Sequence, residues 1–469
     1  MHTLGRTRLA AIAAVALTGT LLAGCSAVSA GDAAAQATST AAASAVTGDL
    51  APESVLGDNT EASTLGDDEW DAADAVAVRL DGGDATTDGA GVEVATGTIT
   101  ITDAGVYRLS GDFDGQVSVQ APDDAEVVLI LDGATITNAD GAAIDIVTAG
   151  DAAIHLADGS RNAVTDAESY ADDATASAAI AADADLTISG TGALVVNGRG
   201  NDGISSTDDL VVLSGDVTVT AADDALRGKD ALVIAGGDLD LTATGGDGLK
   251  SDQEDDEARG YVLVSGGSIG ITAGDDGVQA QTDAVVTGGE LTVSAADDGV
   301  KAEQIVSVGG GRITVTASTE AMEAVDVAVF DGVLSLTASD DGINAAGLNA
   351  GGAERETDTG ERLEVSGGEL VIVAGKDGLD SNGAISVTGG TLTITSADNG
   401  GDAPLDANGT VAVADGVEIT ANGAAYDPTA ARRGPGGFGA SGGGMPDGGA
   451  PGGAPEGRPG GGTEGTAGA

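Results

Sequence analysis

One cysteine occurs in 469 residues, which excludes an intrachain disulfide. Aromatic residues make up only 2% of the chain. A core built on large rings is therefore excluded, and Val, Ile, Leu and Ala must fill a narrow interior. Positive charge is scarce: 18 Lys and Arg stand against 76 Asp and Glu, a formal net charge of −58. Like-charge repulsion argues against nucleic acid and against an anionic membrane surface, and leaves divalent cations as the natural counter-ligands. Histidine chemistry is missing too, since His2 lies in the N-terminal leader and His155 stands alone. No glycine loop precedes a helix in a way that would cradle phosphate.

The cysteine has a setting that explains it. Arg6 and Arg8 precede an apolar run from Leu9 that ends in Leu22-Ala23-Gly24-Cys25. That order of charge and hydrophobicity reads as a secretion signal over 1–24, and its last four residues resemble a bacterial lipobox with Cys25 as the lipidated residue. The expectation is an exported protein on the outer face of the cell membrane, touching that membrane only through the lipid at Cys25, and monomeric. An Ala/Ser/Thr/Asp-rich stretch over 25–66 reads as a flexible tether. The Gly- and Pro-rich stretch over 426–469 reads as a disordered tail.

What the chain has in abundance is repetition. An acid followed by a small and then an aliphatic residue recurs with its acid at Asp202, Asp224, Asp247, Asp276, Asp298, Glu320, Asp341 and Asp377. The base interval is about 22 residues, with insertions at 252–260 and 347–360. Glycine pairs such as Gly266-Gly267, Gly288-Gly289 and Gly310-Gly311 keep the same phase. Between these landmarks, apolar and polar residues alternate in short runs, for example Leu291, Val293 and Ala295 against Thr292 and Ser294, which is the strand pattern. Several short strands per period predict an all-β fold over 67–425, a right-handed parallel β-helix. Ile204, Leu226, Leu249, Val278, Val300, Met322, Ile343 and Leu379 are expected to stack inside as one ladder, and Trp70 or Tyr107 to close the open end.

Stacking the repeats also stacks the acids. Unit charges about 5 Å apart repel by roughly 0.8 kcal/mol in water and by several-fold more near a protein. Side chains fanned into water, neighbouring cations or bound metal would offset that. All four lysines, Lys229, Lys250, Lys301 and Lys376, lie in or beside these turns, with Arg227. The remaining charge suits Ca²⁺, which takes 6–8 oxygens in flexible geometry. The candidate ligands are Asp202, Asp223, Asp224, Asp247, Asp275, Asp276, Asp297 and Asp298. The bland alternative is that each Asp caps its own turn through backbone N–H groups.

The segments "ADDALRGKDALVIAGGDLDLTATGGDGLKSD" and "GKDGLDSNGAISVTGGTLTI", with the variants between them, resemble a family of secreted bacterial carbohydrate-binding proteins, related in fold to pectate lyases. The resemblance covers roughly 98–423. It implies calcium binding and attachment to polysaccharide, including acidic pectin-like and cellulosic chains. The rung Thr319-Glu320-Ala321-Met322 departs from the pattern and puts a cation site there in doubt. Three functions stay open: a non-catalytic polysaccharide-binding protein, a calcium-dependent lyase using Lys250 or Lys301 as base for β-elimination, and a structural surface adhesin.

Overall fold

The structure is a computed structural model that describes residues 48–171, 174–347, 357–399 and 401–427. All of them belong to the unit that runs from Ala42 to Ala469. The signal segment, Cys25 and the tail beyond Asp427 lie outside the described residues.

Each repeat makes three strands. In one rung these are Val300–Ala302, Ile305–Val308 and Arg312–Ala317. Each strand pairs in parallel with its counterpart in the rungs before and after, giving three ladders and hence three faces of an all-β solenoid. The first face carries the short strands that follow the acidic corner, the second the next strand, and the third the strand after the glycine pair. Adjacent rungs lie ~4.8 Å apart.

The register holds the expected apolar ladder. Ile204 pairs with Leu226, then Leu249, Val278, Val300, Met322, Ile343 and Leu379 in turn. All eight are buried. The column continues to Leu405 at one end and through Ile180, Ile144 and Val117 to Ile99 at the other. The loosely spaced N-terminal repeats are thus rungs of the same stack.

The two glycine landmarks do different work. The second glycine of each pair sits at the corner between the second and third faces with positive φ, from +80° at Gly289 to +116° at Gly332, and only a residue without Cβ adopts that cheaply. The glycines of the acidic corner have no such φ. Gly299 is needed for closeness instead, since a Cβ there would lie 2.6 Å from the Ala321 carbonyl oxygen. Gly289→Ala is expected to cost ~1–3 kcal/mol, because it combines φ +80° with a Cβ 2.8 Å from the Gly266 carbonyl. Gly141→Ala, where a Cβ would meet only Asn138 Nδ2 at 3.8 Å, is the near-neutral control. Equal denaturation midpoints for the two variants would contradict the assignment.

The second face explains two departures from expectation. Its strands do not alternate: in Asp209–Val212 and Asp283–Val286 every residue is buried, the outward side included. The cover comes from residues 48–66, which were expected to be tether. Leu50 is fully buried and its carbonyl accepts from Ser307 Oγ at 2.6 Å. A short helix, Pro52–Asp58, follows with Val55 buried. Asn59 then donates to Asp283, Ser63 N–H to Asp209, and Leu65 N–H to Thr187 Oγ1. The partners decrease in number along this strap, so it runs down the second face from the late rungs to the early ones. Outward Val285, Ala328 and Val211 would otherwise meet water, and their burial outweighs the strap's freedom.

The end of the solenoid is also closed differently. Antiparallel pairs, Val76–Gly82 with Asp84–Thr87 and Val92–Ala95 with Thr98–Ile101, flank the first rungs. Tyr107 is buried among the core residues, and Trp70 lies on the outer side of the second face. At the other end the described chain continues as a hairpin, Glu418–Ala421 with Ala424–Ala425, so the ordered part runs slightly past residue 425.

Candidate functional site: a buried acidic stripe beside the first face

The stacked acids are buried, not fanned into water. Asp202, Asp224, Asp247, Asp276 and Asp298 are each less than 5% exposed. Each carboxylate accepts a backbone N–H, but from the next rung and not from its own turn. Asp247 N–H donates to Asp224 Oδ1 at 2.8 Å, Asp276 N–H to Asp247 Oδ1 at 2.9 Å, and Asp298 N–H to Asp276 Oδ1 at 2.8 Å. The same link joins Asp377 to Asp341. The stripe is therefore a chain of charge-assisted bonds between rungs, and part of what locks the stack.

That leaves the second oxygen of each acid. Lys250 Nζ lies 3.3 Å from Asp224 and 2.8 Å from Asp247. Lys301 lies 2.9 Å from Asp298, 3.8 Å from Asp276 and 3.7 Å from Glu323. Both lysines are held upward of their ordinary pKa. Burial opposes their charge, but the hydrogen bonds to Asp247 and Asp298 and the nearby carboxylates outweigh it. Arg227 turns away to a fork with Asp252, and Lys376 pairs with Asp340.

Between the lysines, acids gather. Among the described residues, carboxylate oxygens lie within 4.8 Å of one another in four groups: Asp202, Asp223 and Asp224; Asp275, Asp276 and Asp297; Asp298, Glu320 and Glu323; and Asp341, Asp377 and Asp380. Seven of the eight ligand candidates fall in these groups. Asp247 does not; its carboxylate meets Lys250 and the Asp276 N–H. The rung of Glu320, where a cation site was doubted, supplies two acids. Its longer Glu320 side chain does the work of the missing aspartate, and Glu323 occupies the outward position where Lys301 stands one rung earlier. Aligning only the acids before the aliphatic residue hid Glu323 and Asp380, which come after it; the X of "VKA", "MEA" and "LDS" was the signal.

Crowding and burial push these carboxyls up. Asp202 and Asp276 stand at about 7, Asp202 through burial and the Asp224 charge, Asp276 mainly through burial. Glu320 rises to about 8 through burial and the charge of Glu323. Asp377 and Asp380 reach about 7, burial first in each case. Among them, Asn344 is 8% exposed, donates Nδ2 to Glu320, and keeps Oδ1 unpartnered. Hard oxygens, several per group, with a spare amide oxygen, fit a calcium-type cation.

The first face runs beside the stripe. Its outward column reads Ser205, Arg227, Lys250, Gln279, Lys301 and Glu323. Next to its early rungs Thr175, Ala176 and Ser177 line a hollow of about 190 Å³ together with Asp145, Ser205 and Arg227.

A carbohydrate-binding domain-containing protein of Acetivibrio thermocellus is 41% identical over 136 residues, 28% of this chain and 48% of that protein. The chain thus spans about half the length of this curated relative. A solved polysaccharide lyase-like protein from C. thermocellum, a gadolinium derivative, is 33% identical, covering 56% of this chain and 96% of that one with a TM-score of 0.43. The family described as carbohydrate-binding domain-containing protein matches residues 95–342 and 294–434, nearly all of the solenoid, and the chain belongs to that family.

Proposed function

We propose that the chain is a non-catalytic, calcium-dependent polysaccharide-binding lipoprotein that lays an acidic, pectin-like glycan along the first face of a right-handed parallel β-helix. The observation that carries this is the row of four oxygen clusters along one edge of that face. A cation held there faces the solenoid with some of its ligands and a uronate carboxylate with others, so an acidic protein holds an acidic polymer. The strap covers the second face from the rung of Ser307 to that of Thr187. Export and lipidation at Cys25 place the binder outside the cell, as a monomer.

The lysines weigh against a lyase. A base for β-elimination has to be neutral at the working pH, and Lys250 and Lys301 are each held charged by two or more carboxylates. Calorimetry with polygalacturonate tests the proposal. Binding in calcium, loss in chelator and recovery on re-addition are expected. The double variant Asp276→Asn, Asp297→Asn should weaken binding about tenfold, the scale of one or two lost charge-assisted contacts. Equal binding in chelator overturns the bridging role.

A further inference from the structure

The chain has one tryptophan, and it is not in the core. The strap brings Trp70 onto the outer side of the second face, where the indole packs on Leu65, Val106, Val128 and Ile130. His155 meets it edge-on, ring centres 4.9 Å apart at 73°. His155 is itself fixed: its Nδ1 lies 3.1 Å from Asp67 Oδ1 and 3.0 Å from Ser189 Oγ, and that hydroxyl donates to Asp67 at 2.7 Å. Trp70 lines one hollow and His155 lines another.

One hollow, about 390 Å³, has Trp70, Leu65, Val106 and Val128 as its apolar wall and Asp124 and Glu126 at its rim. The other, about 370 Å³, is lined by His155, Arg108, Asp132 and Asp158, with Arg108 and Asp132 paired at 3.0 Å. Apolar wall, aromatic ring and a few convergent polar groups are what small-ligand sites are made of. An indole presents a flat face to C–H groups, and carboxylates and an imidazole meet hydroxyl groups. Two acids at the first rim, with none of the stripe's clusters beside them, disfavour a uronate. The hollows lie on early rungs, whereas the stripe begins at Asp202.

We infer that Trp70 and the two hollows beside it form a second glycan site, which takes adjacent rings of an uncharged oligosaccharide without a metal ion. The inference rests on the reading of the chain as a glycan binder, but not on its calcium dependence.

A single tryptophan makes the test direct. The full chain in chelator is titrated with neutral β-glucan, xylan and mannan hexasaccharides while indole emission is followed. Saturable quenching or a blue shift with at least one of them is expected. Calorimetry should show Trp70→Ala weakening that sugar at least tenfold, with calcium-dependent polygalacturonate binding unchanged. Glu126→Arg, a change at an exposed rim position, gives the same loss without touching the packing under the indole. Unchanged emission with all three sugars overturns the site, as does unchanged affinity in Glu126→Arg. Loss of polygalacturonate binding alone strikes the calcium reading and leaves this one standing.

Discussion

In chelator, the protein is expected to melt at progressively lower temperature as the pH rises from about 5 to about 8, and calcium is expected to restore roughly 5 °C or more at the upper end. The sign follows from the direction of the shifts. Asp202, Asp276, Asp377 and Asp380 stand at about 7 in the folded chain and Glu320 at about 8, whereas an unfolded carboxyl titrates near 4. Between those values the folded state holds protons that the unfolded state has released, so stability falls as pH rises. Below about pH 4 these five carboxyls are protonated in both states. Above about pH 8 they are charged in both. A cation replaces those protons, so its stabilisation is small near pH 5 and large near pH 8. Differential scanning in chelator and in millimolar calcium, at three pH values, checks this. A calcium-induced shift that is the same at every pH, or none, defeats the claim that the stripe binds metal through these carboxylates.

Much of this was legible in the chain itself, for a physical reason. A solenoid maps sequence period onto spatial neighbours, so a 22-residue interval places Val278 on Val300 without any knowledge of the loops between. Scarce aromatics pointed to a narrow interior, and the interior is filled by Val, Ile, Leu and Ala. The period does not tell which backbone group a stacked Asp meets. Reaching the next rung's N–H depends on how far the corner pulls the rungs together, which the Gly299 approach to Ala321 sets. The four acid groups mix residues on both sides of the apolar position, so Glu323 and Asp380 escaped an alignment keyed to one side.

The strap was illegible for another reason. Residues 48–66 are short of apolar side chains and carry no period, so their own composition reads as tether. The sign of them lies elsewhere, in second-face strands such as "ALVI" and "YVLV" that are apolar on both sides. A strand buried on both faces requires a cover, and the solenoid interior covers only one.

That cover carries the second large prediction. Leu50 and Val55 are buried under it, and Leu50→Asp places a charge where Ser307 and the second face close over the side chain, a change expected to cost ~3–5 kcal/mol and to free the strap. The strap also has a protonation-dependent clasp. Asn59 Nδ2 donates to Asp283 Oδ2 at 2.8 Å, while Asn59 Oδ1 and Asp283 Oδ1 are both buried and unpartnered. A proton on Asp283 adds a donor to this clasp, whose two unpartnered oxygens are both acceptors. Asp283 stands at about 6, raised by burial, lowered in part by the Asn59 bond and raised again by Asp58. The docked state therefore holds a proton that a free strap releases above about pH 4, and docking weakens as pH rises through about 6. Hydrogen exchange over residues 50–65, corrected for the intrinsic pH dependence, should show less protection at pH 8 than at pH 5. Asp283→Asn should remove that difference while keeping the strap docked, because an amide donates to Asn59 Oδ1 and accepts from Asn59 Nδ2 at any pH. Undiminished pH dependence in Asp283→Asn would place the sensitive group elsewhere, with Asp209, at about 6 and bonded to Ser63 N–H, the next to be changed.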